Sequence, residues 1–486
     1  MYRPIKCCII IFISLFITSN CAAQADSVDR FIQNVMQERG IPGLQLAIVQ
    51  HGKIVKTGNY GLANVQDSIA VSDRTVFPIN SITKAFTGVA IMQLVEAGKL
   101  SLDEPVGKYL QNLPKAWLPV TIQQLLSHTS GIPDIVDEEE SVLISPGLDL
   151  AWSKVTSLPM DFLPGERFRY NQTNYLLLGR IIDTLSGMPF TDFIKKEQLA
   201  KAGMRRTTAA GFGASMDVIK HAAASYTYRR GKLANMFFSF PPSLQTAAGM
   251  SATAAELGRW LIALQRKELL KTESAIQTLW KPALLNNGKT AGFSDLLNGY
   301  AAGWPVISRP EHPAVAPVGG GRSALFVYPK DDFAVVVLTN LAGSTPDAFI
   351  DEIAGFYFPD MKAANGFGFS ENVKKIRKAL ENKGYNHAIA IATSMCKNPD
   401  FILPEKELNS WGYKLLKSKR VTDALEIFKL NVYLYPESSN AFDSLGEIYG
   451  ILDDKANAIK NYERSVHLDG GNSHAIRQLQ ILRSNK

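Results

Sequence analysis

Strand-like runs stand at the two ends of one region of this chain, and that placement constrains the fold more than any other feature. Leu44–Val49 and Lys53–Tyr60 are joined across His51-Gly52, a hairpin signal, and Ser323–Tyr328 and Phe333–Thr339 flank a turn at Asp331-Asp332. Between them the apolar spacing is mostly helical. Ser27 caps a helix with Val28, Phe31, Ile32, Val35 and Met36 on one face, ended by Gly40 and Pro42. An amphipathic helix is predicted from Ser81 to about Ala97, with Gly98 at its end, and another from about Pro346 to Phe358. Strands so far apart in sequence bury their apolar faces by meeting. The predicted fold is α+β: an antiparallel sheet closed by both ends of the region, flanked by helices and a helical subdomain.

The pattern changes after residue 362. Residues 363–370 read as a linker, and helical periodicity then runs from 371 to 486. Here the chain repeats at a period of 34 residues. Gly412 and Gly446 are one period apart, as are Ala424 and Ala458, Phe428 and Tyr462, and Trp411 and Leu445. Small residues at helix crossings with aromatics between them resemble tetratricopeptide repeats. Pro436 ends the first copy and Gly470 replaces it in the second; a degenerate third copy falls around Ala388–Pro399. An unrelated helical cap is the alternative.

The first 25 residues stand apart as well. Arg3 and Lys6 precede the apolar stretch Cys7 to Ile17, and Ala23-Gln-Ala25 offers a small-x-small cleavage site. This is the pattern of a secretory signal peptide, with lipoprotein processing at Cys21 as the other reading, so a secreted or periplasmic protein is expected. Removing the segment leaves one cysteine of four, Cys396, and no internal disulfide. It also lowers the net charge from +7 to about +5. No basic run with interleaved aromatics appears, so nucleic acid is not an expected partner.

The chemistry centres on Ser81 and Lys84, in Phe77-Pro-Ile-Asn-Ser-Ile-Thr-Lys84. A serine and a lysine three residues apart share a helical face, where an unprotonated lysine can take the serine's proton. At an ordinary pKa only about one lysine in a few thousand is neutral at pH 7, so the role requires burial or a neighbouring cation. The pair is followed by Ser101-Leu-Asp-Glu-Pro105, by Thr121-Ile-Gln-Gln-Leu-Leu-Ser-His-Thr-Ser-Gly-Ile-Pro133 and by Pro164-Gly-Glu166. Thr173-Asn-Tyr-Leu-Leu-Leu-Gly179 and Gly249-Met-Ser-Ala-Thr253 come next. In this order the motifs closely resemble the serine β-lactamase-like superfamily, which includes class C β-lactamases, penicillin-binding DD-peptidases and related esterases. The resemblance covers roughly residues 27 to 358.

It implies that Ser81 is the acyl-accepting nucleophile and Lys84 its partner. The family's Tyr-x-Asn motif corresponds to Tyr170-Asn-Gln172, with Tyr170 as general base and then general acid. Gln172 replaces the usual asparagine and adds a methylene, which shifts its contacts with Lys84 or a substrate amide. The third motif, normally Lys-Thr-Gly or His-x-Gly, aligns with Pro317-Val-Gly319, so the usual cation is absent and the following loop is about three residues short. Gly319 and Gly320 would then line the substrate site, with Gly320 supplying an oxyanion-binding N–H. Arg322 and His312 are the nearest replacements for the missing charge, and each reads better as structural. His128 reads as part of a helix end.

The expected activity is that of an exported serine hydrolase, acting through an acyl-enzyme on Ser81 upon an ester, an amide of a D-amino-acid peptide or a β-lactam. No cofactor or metal is expected. The alternative is a catalytically weak penicillin-binding-like scaffold whose helical repeats bind a protein partner.

Overall fold

A computed structural model describes residues 27–137, 143–213, 218–229, 232–237, 241–294, 296–361, 370–417 and 419–484. The signal-like segment, with Cys21, and linker residues 363–369 lie outside the described residues. The chain divides into two compact units at Met361/Lys362.

The first unit is built on a nine-stranded sheet. Its spatial order runs Ile69–Ala70, Lys53–Asn64, Gly43–Gln50, Phe333–Thr339, Ser323–Tyr328, Ala314–Val315, Pro305–Ile307 and Gly299–Tyr300, with Val318–Gly319 paired beside Ser323–Tyr328. Every pairing is antiparallel. The two ends of the region do meet, in a register from Leu44 opposite Thr339 to Gln50 opposite Phe333. Both of these central strands are buried on both faces, so their runs read as continuous rather than alternating apolar sequence. Lys53–Asn64, next outward, alternates exposed and half-buried positions as a strand with one wet face does. His51 and Gly52 both take positive φ, +51° and +64°, the signature of a type I′ hairpin.

The helix Thr83–Glu96, which follows Ser81, departs from the amphipathic expectation. Every residue from Thr83 to Met92 is buried, as is Leu94. It runs between the helices Gln172–Ser186, Phe190–Ile194 and Glu273–Trp280, and Phe86 stacks on Trp260 with centroids 4.0 Å apart. A helix enclosed on all sides has no solvent stripe to keep polar. Gly88 marks the closest approach, because a Cβ there would come within 1.9 Å of the Ala302 carbonyl oxygen. The helix expected from Pro346 to Phe358 is a 3₁₀ turn, Pro346–Ala348, followed by the short α-helix Ile350–Ala354.

The second unit is helical throughout its described length: Glu371–Lys383, Ala388–Met395, Glu405–Lys417, Val421–Leu434, Ser439–Ile451, Lys455–Leu468 and Ser473–Ser484. The 34-residue period has a direct structural meaning. A Cβ on Gly412 would stand 2.6 Å from the Phe428 ring, and one on Gly446 would stand 2.9 Å from the Tyr462 ring. Two successive helix pairs thus cross at the same glycine against the same kind of ring. Ala388–Met395, in the degenerate copy, packs on Val421–Leu434.

Candidate active site

The entry to the helix Thr83–Glu96 is pinned before it begins. Phe77–Pro78 pairs with Ser251–Ala252, and Ile79 N–H donates to the Met250 carbonyl at 2.9 Å. Asn80 then takes φ +47°, and a 3₁₀ turn, Asn80–Ile82, presents Ser81 one turn ahead of the α-helix. Lys84 follows inside the helix with no exposed surface. Its Nζ lies 2.9 Å from Gln172 Oε1, 3.0 Å from the Ala247 carbonyl oxygen and 3.5 Å from Ser81 Oγ. Burial pulls the amine down to about 7, against the opposing influence of the Asp134 charge.

Tyr170 and Gln172 approach Lys84 from a separate segment of the chain. Asn171 caps the helix Gln172–Ser186 by accepting from Asn174 N–H at 2.9 Å, and its amide nitrogen donates to the Ile132 carbonyl at 2.6 Å. Asn171 is thus occupied elsewhere, while its neighbours Tyr170 and Gln172 contact Lys84. The Tyr170 ring centroid is 4.6 Å from Lys84 Nζ, and Ser81 and Gln172 both act to lower the pKa of its phenol. Burial first, and the Asp134 charge second, raise the phenol's pKa above the usual tyrosine value. The extra methylene of Gln172 does not separate it from Lys84; the contact is direct.

Asp134 is the residue that motif reading missed. It follows Gly131-Ile-Pro133 and accepts from Gln172 N–H at 3.0 Å and Val136 N–H at 3.2 Å. Burial raises it to about 6, although backbone N–H groups and Lys84 act to keep it charged. The available signal was an acidic residue directly after a family landmark.

Val318–Gly319, in Pro317-Val-Gly319, packs against the Asn80–Ile82 turn. Arg322 N–H donates to the Gly319 carbonyl at 3.0 Å across Gly320 and Gly321, whose φ values of +55° and +59° make a second type I′ turn. The hairpin rests on the residues just before Ser81. Ser323 Oγ donates to the Ile79 carbonyl at 2.9 Å, and a Cβ on Gly319 would fall 2.1 Å from that same oxygen. The turn brings Gly320 against the Asn80 side chain, beside the nucleophile turn.

Each candidate replacement for the missing cation has a partner of its own. Arg322 is buried, its guanidinium lies 3.1 Å from Met236 Sδ, and burial lowers it to about 10. His312 pairs with Asp331 and Asp360, each at 3.0 Å. His128 is buried with φ +59°, and its Nδ1 accepts from Asn171 N–H at 3.1 Å. That bond fixes the proton on Nε2, while burial and the Lys84 charge hold the ring well below its usual pKa. It is a structural, neutral histidine.

The first unit thus combines an antiparallel sheet closed by the two ends of its region with a serine–lysine pair at the start of a buried helix. A model of the Beta-lactamase family matches residues 28–356, and the chain belongs to that family. Protein flp of Staphylococcus aureus is 30% identical over 321 residues, 65% of this chain and 62% of flp. The chain thus spans less than two thirds of that curated relative. The octameric penicillin-binding protein homologue from Pyrococcus abyssi superposes with a TM-score of 0.59 at 26% identity, covering 69% of this chain and 77% of its own. The D-amino acid amidase of Ochrobactrum anthropi SV3 shares the fold, with a TM-score of 0.57 at 19% identity over 69% and 99% of the two chains.

Proposed function

We propose that the first unit is a serine hydrolase that forms an acyl-enzyme on Ser81. The observation that carries this reading is the hydrogen bonding of Lys84. A neutral amine has two N–H groups and one lone pair. Gln172 Oε1 and the Ala247 carbonyl can only accept, so they take both protons. The lone pair is left for the hydroxyl of Ser81, 3.5 Å away, and an amine near pKa 7 is unprotonated often enough to use it.

The raised pKa of Tyr170 moves the base role away from it. The phenol stays protonated at neutral pH, so it is the donor to the leaving group and Lys84 is the base. Ser81 Oγ attacks the carbonyl carbon as Lys84 takes its proton. Backbone N–H groups at Ser81 and Gly320 face the developing oxyanion. Tyr170 protonates the departing oxygen or nitrogen and is reprotonated by the Lys84 ammonium. Water then repeats the sequence on the acyl-enzyme and releases Ser81.

The substrate is an ester, a D-amino-acid amide or a β-lactam. Pro317 supplies no cation for the carboxylate that β-lactams and D-Ala-D-Ala peptides both carry, which favours an ester or an amide without that group. Export is part of the proposal and rests on the composition of residues 1–25. The helical unit is proposed to serve a protein partner, supported by its repeated Gly–aromatic crossings. Incubation with a fluorophosphonate or fluorescent penicillin, followed by mass spectrometry, tests the nucleophile. An adduct on Ser81 that is lost in Ser81→Ala is expected. No adduct, or one that survives the substitution, overturns the assignment.

A further inference from the structure

We propose that the first unit carries a second site, separate from Ser81, that binds a phosphate-bearing anion. A cavity of about 560 Å³ is lined by Arg74, Arg205, Arg206, Lys220, His221 and Arg259 among others. None of Ser81, Lys84, Tyr170 or Gln172 lines it. Its cations arrive from four separate places in the sequence. Arg74 lies on the approach to Phe77–Pro78, Arg205 and Arg206 open the helix Arg205–Ala210, Lys220 is in a loop, and Arg259 is on Ala254–Gln265. No local sequence constraint requires these side chains to converge.

The acids at hand are already engaged. Glu256, the one carboxylate in the lining, is buried and accepts four hydrogen bonds: from Arg206 N–H at 2.9 Å, Thr207 N–H at 2.8 Å, Thr207 Oγ1 at 2.7 Å and Arg259 at 3.2 Å. Those bonds fix the helix Arg205–Ala210 against Ala254–Gln265 and so fix where Arg205 and Arg206 stand. Asp73, largely exposed, is 3.6 Å from Arg206, a weak surface pair. Arg74, Arg205 and Lys220 form no ion pair with another described residue.

The chemistry of the empty donors selects the ligand. A guanidinium offers a rigid fork of N–H groups that matches two oxygens of a phosphate, and several forks around one concavity offer more donors than a carboxylate can accept. The volume exceeds what a single phosphate fills. A di- or triphosphate, or a phosphate carried on a larger group such as a lipid headgroup, fits both charge and size.

The test uses the full-length chain at low ionic strength. Titration calorimetry with inorganic tripolyphosphate reads the soluble source, and co-sedimentation with phosphatidylcholine vesicles with and without phosphatidylglycerol reads the lipid source. Arg205→Ala with Lys220→Ala is compared with Lys289→Ala with Lys330→Ala, which removes equal charge from exposed positions outside the cavity. Binding in either arm that weakens roughly tenfold or more in the first variant, and little in the second, is the expected result. Turnover of p-nitrophenyl butyrate should be unchanged in both. Absence of binding in both arms, or equal weakening by the two variants, overturns the proposal.

Discussion

Gln172 Oε1 lies 2.9 Å from Lys84 Nζ, closer than Ser81 Oγ at 3.5 Å, so Lys84 is held first by its acceptors and only then reaches Ser81. The position departs from the family's asparagine, yet the helix start at Gln172, fixed by the Asn171 cap, lets the longer amide reach the same amine. Gln172→Leu should keep the fold while freeing one Lys84 N–H, and should lower kcat on p-nitrophenyl butyrate by about 10- to 100-fold, the usual scale for general-base catalysis. Steady-state kinetics with circular dichroism as the fold control checks this. An unchanged kcat removes Gln172 from the base's support.

The pH profile follows from Lys84. Activity should rise with pH through about 7 as the ammonium loses its proton. Stability should rise too, because the unfolded chain holds that proton up to the ordinary lysine pKa and the folded chain does not. The window runs from about 7 to about 10.5, and its full extent is on the order of 5 kcal/mol. Lys84→Met should abolish turnover and flatten that rise in urea-melt stability between the two pH values. A variant that keeps the wild-type slope would show that the slope comes from other groups.

Asp134 pushes in the opposite sense, since its negative charge favours the ammonium form of Lys84. Asp134→Asn should move the acid limb of kcat/KM to lower pH by roughly half to one unit. An asparagine retains one oxygen for the Gln172 and Val136 N–H groups, so the helix start should survive. Because Lys84 and Asp134 interact, the measured limb belongs to the pair. A limb that stays put, with the fold intact, would mean the two charges are effectively screened from one another.

The legible part of this site is the part written locally. Ser81, Lys84, Tyr170 and Gln172 sit in short motifs whose spacing is their geometry, and the strand runs 44–49 and 333–339 announced their pairing by matching length and apolarity. Three things were not legible. The enclosure of Thr83–Glu96 depends on helices that arrive from residues 172–280, so its sequence looks amphipathic only if solvent is assumed on one side. Asp134 acts through backbone N–H groups of residues nearly forty positions away. The basic cavity gathers Arg74, Arg205, Lys220 and Arg259 from segments with no common motif.

The Gly320 turn supports the nucleophile sterically. A methyl group there would stand 2.8 Å from Asn80 Nδ2, and φ +55° is a left-handed conformation that costs an L-residue about 1–2 kcal/mol. Gly320→Ala should therefore lower stability by about that amount and displace the Ser81 turn, with a loss of about tenfold or more in kcat. Gly343→Ala, also at positive φ but with nothing within 4 Å, is the control for backbone strain alone. Equal kinetic effects from the two substitutions would remove the oxyanion-side role of Gly320.

The helical unit offers a separation of folding from chemistry. Phe428 occupies the space where a side chain on Gly412 would go, at 2.6 Å, so valine there cannot be accommodated without parting two helices. Gly412→Val should destabilise the second unit by about 1–3 kcal/mol or more, read as an early loss of helical signal on heating. If the repeats serve a partner rather than catalysis, turnover of nitrocefin, p-nitrophenyl butyrate and a D-Ala-D-Ala peptide below that transition should match the wild type. A fall in kcat that tracks the loss of helical signal would instead tie catalysis to the helical unit.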